Sequence, residues 1–159
     1  MQPTDLWTFA LACYARPGVE TLSLELQEQG VDICLLLCGS WLEVRAIRCT
    51  PQRLERLQRL ANSWQHEVVT PLRTLRQAWR DAAQTDAELK ALREQVKALE
   101  LTAEKTLLGR LENETRDWPP DSGPAAWLEP LIADVSDGDA ARAFLRRIAA
   151  AVQLELTGA

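Results

Sequence analysis

From Val31 to Leu42 the chain reads Val-Asp-Ile-Cys-Leu-Leu-Leu-Cys-Gly-Ser-Trp-Leu, and after Asp32 almost every side chain is apolar or small. A helix that is apolar all round must be buried by its neighbours. The run is also far shorter than the ~20 apolar residues needed to cross a bilayer. The pattern therefore predicts a buried central helix over about 33–48. Asp32 is its N-cap, in preference to a ligand or catalytic carboxylate, and Val31 and Leu36 have the spacing of a hydrophobic staple. Gly39 and Ser40 would let a neighbouring backbone approach closely.

Around this segment the helical period continues. Pro3-Thr4-Asp5 opens a first helix with Thr4 or Asp5 as cap and Leu6, Phe9, Ala10 and Cys13 on one face. Arg16-Pro17-Gly18 ends it, since the residue before proline is pushed out of the helical region. Val19 to Gln29 forms a second helix closed by Gly30. Thr50-Pro51 restarts the chain as N-cap and first helical residue. Leu54, Leu57, Ala61, Trp64, Val68, Leu72, Leu75, Trp79 and Ala82 then come at steps of three and four, one stripe that runs past Pro71. An internal proline breaks or kinks a helix. Two helical pieces or one kinked helix are expected, with the break between His66 and Thr70.

A long helix over about 86–116 should reach about 45 Å. Its stripe is Leu89, Leu92, Val96, Leu99 and Ala103, shifting to Leu107 and Leu111. Lys90–Glu94 and Glu100–Glu104 read as its solvated face, and the narrow stripe suits a packing arm or coiled-coil strand. The cover for Leu92, Val96 and Leu99 is either the chain's own C-terminal helix or a second copy. Trp118 to Pro124 is a linker, and a short helix over 125–133 comes next. The last helix spans about 140–156, with Ala141, Phe144, Leu145, Ile148, Val152 and Leu156 inward. No strand pattern or repeat occurs. The fold class is all-α: a helical bundle around the central helix, with a long helical arm and a C-terminal helix. Residues 1–83 form a compact bundle. Residues 84–159 hold the long helix, the Pro-rich linker and the C-terminal helices, packed back as one unit.

Charge changes this picture in one place. Over 159 residues the net charge is −5, which argues against a nucleic-acid binder by bulk electrostatics. Yet residues 43–80 carry eight arginines and three glutamates between two acidic segments. Arg59, His66, Arg73 and Arg80 recur every seven residues, with Arg56 and Arg76 beside them, opposite the apolar stripe. Arg56, Arg59, Arg73, Arg76 and Arg80 thus form a candidate surface for an anionic partner. The alternative is an ordinary solvated helix face. An acidic protein is the favoured occupant, and an RNA backbone or nucleotide phosphate is the weaker alternative.

Chemistry is sparse. His66 is the single histidine, and no glycine-rich phosphate loop, Gly-x-Ser-x-Gly elbow or Cys-x-x-Cys occurs. These absences weaken an enzyme reading without excluding it. No catalytic, cofactor or metal residue is assigned. Cys34 and Cys38 could join Cys13, Cys49 or His66 around zinc, but buried, inert thiols fit their apolar neighbours better. Four cysteines and no visible secretory signal point to the reducing cytoplasm; Leu11-Ala12-Cys13 resembles a lipoprotein cleavage site but lacks the charged leader. Trp7, Trp41, Trp64 and Trp79 lie on apolar faces, as core filler or as the lining of a pocket.

Leu6-Trp7, Tyr14, Pro17-Gly18-Val19, Leu26-Gln27, Asp32 and Leu35-Leu36-Leu37 through Trp41-Leu42, with Val68 to Arg73, resemble the signature of a small family of uncharacterised proteobacterial proteins. The likeness covers roughly residues 5–80. Where the family has an amide after the Asp-aliphatic pair, this chain has Cys34. The resemblance implies a bacterial cytoplasmic helical protein and no particular activity.

Two functional readings remain. The first is a non-catalytic interaction or regulatory module that uses the basic block or self-associates through the long helix, with no membrane partner. The second is an enzyme or small-ligand binder with a pocket at Trp7, Trp41, Arg45 and Arg48. A filled core would favour the first. A large apolar pocket with convergent polar groups would favour the second.

Overall fold

Asp32 accepts a hydrogen bond from the Leu35 amide at 3.1 Å and starts the central helix as its position demands. In this computed structural model, which describes residues 5–158, that helix is α3, Ile33–Val44. It is preceded by α1 (Leu6–Tyr14) and α2 (Val19–Glu28). After it come α4 (Pro51–Trp64), a π turn (Gln65–Val69), α5 (Thr70–Ala78) and a 3₁₀ turn (Ala82–Gln84). The long helix α6 (Ala87–Thr115), the single turn α7 (Leu128–Leu131) and α8 (Gly138–Thr157) complete the chain. The described residues are all-α, with no strand and no helix long and apolar enough to cross a membrane. Asp5, Thr50 and Asp86 cap α1, α4 and α6 through their side chains. Pro3 and Thr4 lie outside the described residues.

Helix α3 is buried from Cys34 to Leu42 and packs against α1, α2, α4, α6, α7 and α8. One apolar cluster joins Leu6, Phe9, Trp41, Leu57, Leu107, Leu111, Trp127 and Val152, so the segments before and after residue 83 share a core. A second, smaller cluster joins Leu26, Leu36, Leu128, Ile132, Ala141 and Leu145. At the far end of α3, Glu43 accepts from the amides of Trp127 and Leu128 at 2.8 and 2.9 Å and from Arg146 at 2.8 and 3.0 Å. One carboxylate thereby holds α7 and α8 to α3.

The structure departs from the sequence reading in three places. Helix α3 stops at Val44 rather than near Arg48. Ala46 takes φ +59°, and the Ile47 amide donates back to the Leu42 carbonyl at 3.0 Å, closing the helix end. The freed segment pairs with the later loop: Ile47 O accepts from the Trp127 indole at 2.7 Å, and Cys49 N donates to Ala125 O at 2.8 Å. The helix expected over 125–133 is one turn only. Between His66 and Thr70, where a break or kink is expected, the helix from Pro51 widens into a π turn in which Thr70 N donates to Gln65 O. Proline has no N–H for the Glu67 carbonyl, and the wider turn accommodates its ring.

The third departure concerns the inward stripe of α6. Its C-terminal half buries Ala103, Leu107, Leu108, Leu111 and Thr115 among α1, α3 and α4. Its N-terminal half turns Arg93, Val96 and Glu100 inward, leaving Leu92 50% and Leu99 54% exposed. Helix α8 packs on α1 and α3 and does not provide the cover expected for Leu92 and Leu99.

Gly39 sits where α7 presses on α3. A methyl group there would lie 2.7 Å from Leu131 Cδ1 and 3.2 Å from Trp127 Cβ. Replacing Gly39 by Ala should lower unfolding stability by roughly 1–3 kcal/mol through overpacking. Urea denaturation checks this, and an unchanged midpoint would show that α7 can give way.

Candidate functional site

A buried carboxylate organises the face of α6 that meets α5. The Glu100 side chain is 7% exposed and lies between two arginines. Arg76 donates from Nε to Oε2 at 2.6 Å and from Nη2 to Oε1 at 3.3 Å, and Arg73 Nε donates to Oε1 at 3.1 Å. Burial alone would raise the Glu100 pKa, but the hydrogen bonds from Arg76 and Arg73 hold it below the usual carboxylate range. Arg73 also reaches α2, where the Gln27 carboxamide oxygen, turned toward the guanidinium, accepts from Nη1 at 2.7 Å and Nη2 at 3.1 Å. Arg73 Nη2 lies 3.6 Å from Glu104. Gln65, in the π turn, donates to Asp32 Oδ1 at 3.2 Å, linking that turn to the cap of α3. Burial raises the pKa of both Asp32 and Glu104.

Beside this network opens a cleft of about 600 Å³ between α1, α2, α3, α5 and α6. Ala10, Ile33, Cys34, Leu37 and Leu108 contribute buried or half-buried apolar lining. Trp7, Leu11, Tyr14, Leu24 and Leu101 also line it, and the last four are exposed. Glu20, Glu94 and Lys97 bring exposed charge. A second cavity of about 250 Å³ lies beside Asp32, lined by Gln58, Asn62, Leu131 and Val135.

The five arginines of the basic block do not form one surface. Arg56 pairs with Glu114 at 2.6 Å, Arg59 with Glu55 at 2.5 Å, and Arg80 is exposed. Arg73 and Arg76 face inward to Glu100 instead of lying away from the core. The π turn is the cause. One extra residue in a turn rotates the downstream residues by about 100° relative to an ideal helix, so Arg73 no longer shares a face with Arg59. The same rotation buries Val69 more deeply than Val68 and leaves Leu75 38% exposed. Of the four residues expected around a pocket, Trp7 lines the cleft. Trp41 is buried in the core with the Arg45 guanidinium 4.1 Å from its ring centroid, and Arg48 is 3.7 Å from Asp121.

The cysteines sit where their apolar neighbours placed them: Cys13, Cys34 and Cys38 buried, Cys49 half-buried, all free. Burial pushes the Cys13 thiol up to about 12 and raises the other three as well. Among the described residues no group of three or more His, Cys, Asp or Glu side chains is placed to hold a metal ion. His66 is exposed and does not line the cleft. Sequence reasoning missed Glu100, Glu104, Tyr14, Gln27, Gln65 and Leu101. A glutamate pair at i, i+4 reads as a solvated face, and only the partner helix reveals otherwise.

Replacing Glu100 by Gln strands two guanidinium groups. The loss should be about 1–3 kcal/mol, below that of a fully buried pair, because Arg73 and Arg76 keep 26% and 23% of their side chains in solvent. Because the Glu100 pKa is depressed, its contribution is present above the ordinary carboxylate pKa and is lost as pH falls through its folded value. Asp32 and Glu104, with raised values, act in the opposite sense. Melting curves across acid pH should show the wild-type advantage over Glu100→Gln shrinking as pH drops. A constant gap would mean that Glu100 is not held ionised.

No curated protein and no solved structure matches the chain. A family model described as "Protein of unknown function (DUF2390)" matches residues 5–111, a span that includes every residue lining the 600 Å³ cleft. With about two thirds of the chain inside that match, the protein belongs to this family.

Proposed function

We propose that the protein is a non-catalytic binding module that holds a small amphipathic ligand in the cleft between α1, α2 and α6. One observation carries this reading: about 600 Å³ of space, apolar side chains on several helices, and polar groups converging from α2, α5 and α6. Small-molecule sites have this size and make-up, roughly 300–1,000 Å³ with a few placed polar groups. Cys34, the thiol of the cleft, supplies no nucleophile, because burial and then the nearby Asp32 and Glu104 carboxylates keep it protonated. Free buried thiols and the resemblance to proteobacterial proteins suit a bacterial cytoplasmic setting.

The neutral apolar dye N-phenyl-1-naphthylamine tests the reading. It should bind the wild type with enhanced emission. Leu101→Arg, which places a charge among the leucines of the cleft, should lose most of that signal, while Leu92→Arg, outside it, should not. Equal dye binding by both variants, or none by the wild type, would overturn the proposal.

A second reading has its own observation. Leu92 and Leu99 lie one heptad apart on α6 and are half-exposed. That spacing suits self-association through the long helix. Sedimentation at high micromolar concentration should show a dimer that Leu92→Glu with Leu99→Glu dissolves; a monomeric wild type would refute this. An acidic protein or an RNA backbone is a weaker partner for the basic block, because Arg56, Arg59, Arg73 and Arg76 already face carboxylates of this chain.

A further inference from the structure

The cleft's polar groups discriminate between ligand charges. Both its arginines are occupied: Arg76 holds both oxygens of Glu100, and Arg73 is divided among Glu100, Gln27 and Glu104. An anionic ligand would have to displace these partners. Glu104 is the under-used acceptor. Its side chain is 31% exposed, its one ion-pair contact is Arg73 at 3.6 Å, and it accepts no hydrogen bond among the described residues. That carboxylate takes no protein hydrogen bond among the described residues, and an ammonium group brings three donors.

The surrounding field agrees. Four carboxylates of the lining, Glu20, Glu94, Glu100 and Glu104, outnumber its three cations, Arg73, Arg76 and Lys97. The Tyr14 hydroxyl is raised by burial and then by Glu20 and Glu104. Cys34 is raised by burial and then by Asp32 and Glu104, against the opposite pull of Arg73. Aromatic rings add to this, since a cation is attracted to a ring face. The Trp7 ring already has the Lys105 ammonium 5.3 Å from its centroid, and Tyr14 is the other ring of the lining.

We propose that the cleft binds an amphipathic organic cation, its ammonium group donating to Glu104 beside Tyr14 and its apolar body lying along Leu11, Leu24, Leu37 and Leu101. This rests on the ligand-binding reading above and specifies its chemical class. Because burial raises the Glu104 pKa, such binding weakens as pH falls through the value set by Arg73 and Arg76 on α5, Glu100 on α6 and Asp32 ahead of α3.

Octylamine, octanol and octanoate, matched in chain length, separate charge from apolar fit. Each is titrated into the full chain by calorimetry and by displacement of the naphthylamine dye. Octylammonium should bind roughly tenfold tighter than octanol, about the worth of one charge-assisted hydrogen bond, with octanoate weakest. Glu104→Gln should reduce octylamine to the level of octanol and leave octanol unchanged. Glu20→Gln, on an exposed position, gives a second readout should Glu104→Gln fold poorly: octylamine weakens severalfold while octanol does not. Octanoate binding as well as octylamine, or a preference untouched by both substitutions, would overturn the cationic class. Dye binding that persists in that case would leave the cleft as a site for another chemistry. If none of the three displaces the dye, the cation proposal fails alone; if the dye itself does not bind, the wider reading fails too.

Discussion

The constraint on which the fold depends is the burial of α3. Nine consecutive residues from Cys34 to Leu42 are withdrawn from water, and no single partner can cover a helix on all sides. Six helices share the task, and the chain order reflects it. Helices α1 and α2 come before α3 and α4 directly after, but their area is insufficient, so the chain returns three more times, with α6, α7 and α8. Close approach is needed on one side, and Gly39 supplies it beneath Trp127 and Leu131. Where α3 ends, Glu43 converts a helix terminus into a clamp on the two last elements.

Much of this is legible in the residues themselves. Caps at Asp32, Thr50 and Asp86 stand where short oxygen-bearing side chains precede apolar periods, because helix starts leave amides that need acceptors. The all-α class and the buried central helix can be read from period and composition alone. The end of α3 is not legible, because Ala46 in the left-handed region has no sequence signature. The segment is held by non-local bonds that no local pattern announces: Asp121 and Trp127 donate to the Ala46 and Ile47 carbonyls, and Cys49 donates to the Ala125 carbonyl.

The candidate site was hidden by one inserted residue. A reading of α4 and α5 as a single stripe places Arg73 and Arg76 on the outside. The π turn rotates them inward, and the same step turns Leu75 outward. Helix α6 shows the matching displacement: Leu92 and Leu99 face water, while Arg93 and Glu100 take the inner positions. Each irregularity makes sense only beside the other. Glu100 can be buried because Arg73 and Arg76 arrive from α5, and they arrive because Pro71 imposes a turn that an unbroken α-helix would not make.

A cleft partly lined by leucines stays open only if closing it costs more than it gains. Burying Leu11, Leu24 and Leu101 against one another would be favourable at about 25 cal/mol per Å². Closure would also bury the Glu104 carboxylate, whose pKa is already raised, with no donor beyond Arg73 to compensate it. Removing an unsatisfied carboxylate from water outweighs a few leucine contacts. The ion pairs of Glu100 with Arg73 and Arg76, and the Gln27 contact to Arg73, meanwhile fix the spacing of α2, α5 and α6. The charge network thus opposes closure of the cleft. A molecule that supplies both an apolar body and donors for Glu104 removes the penalty that holds the walls apart.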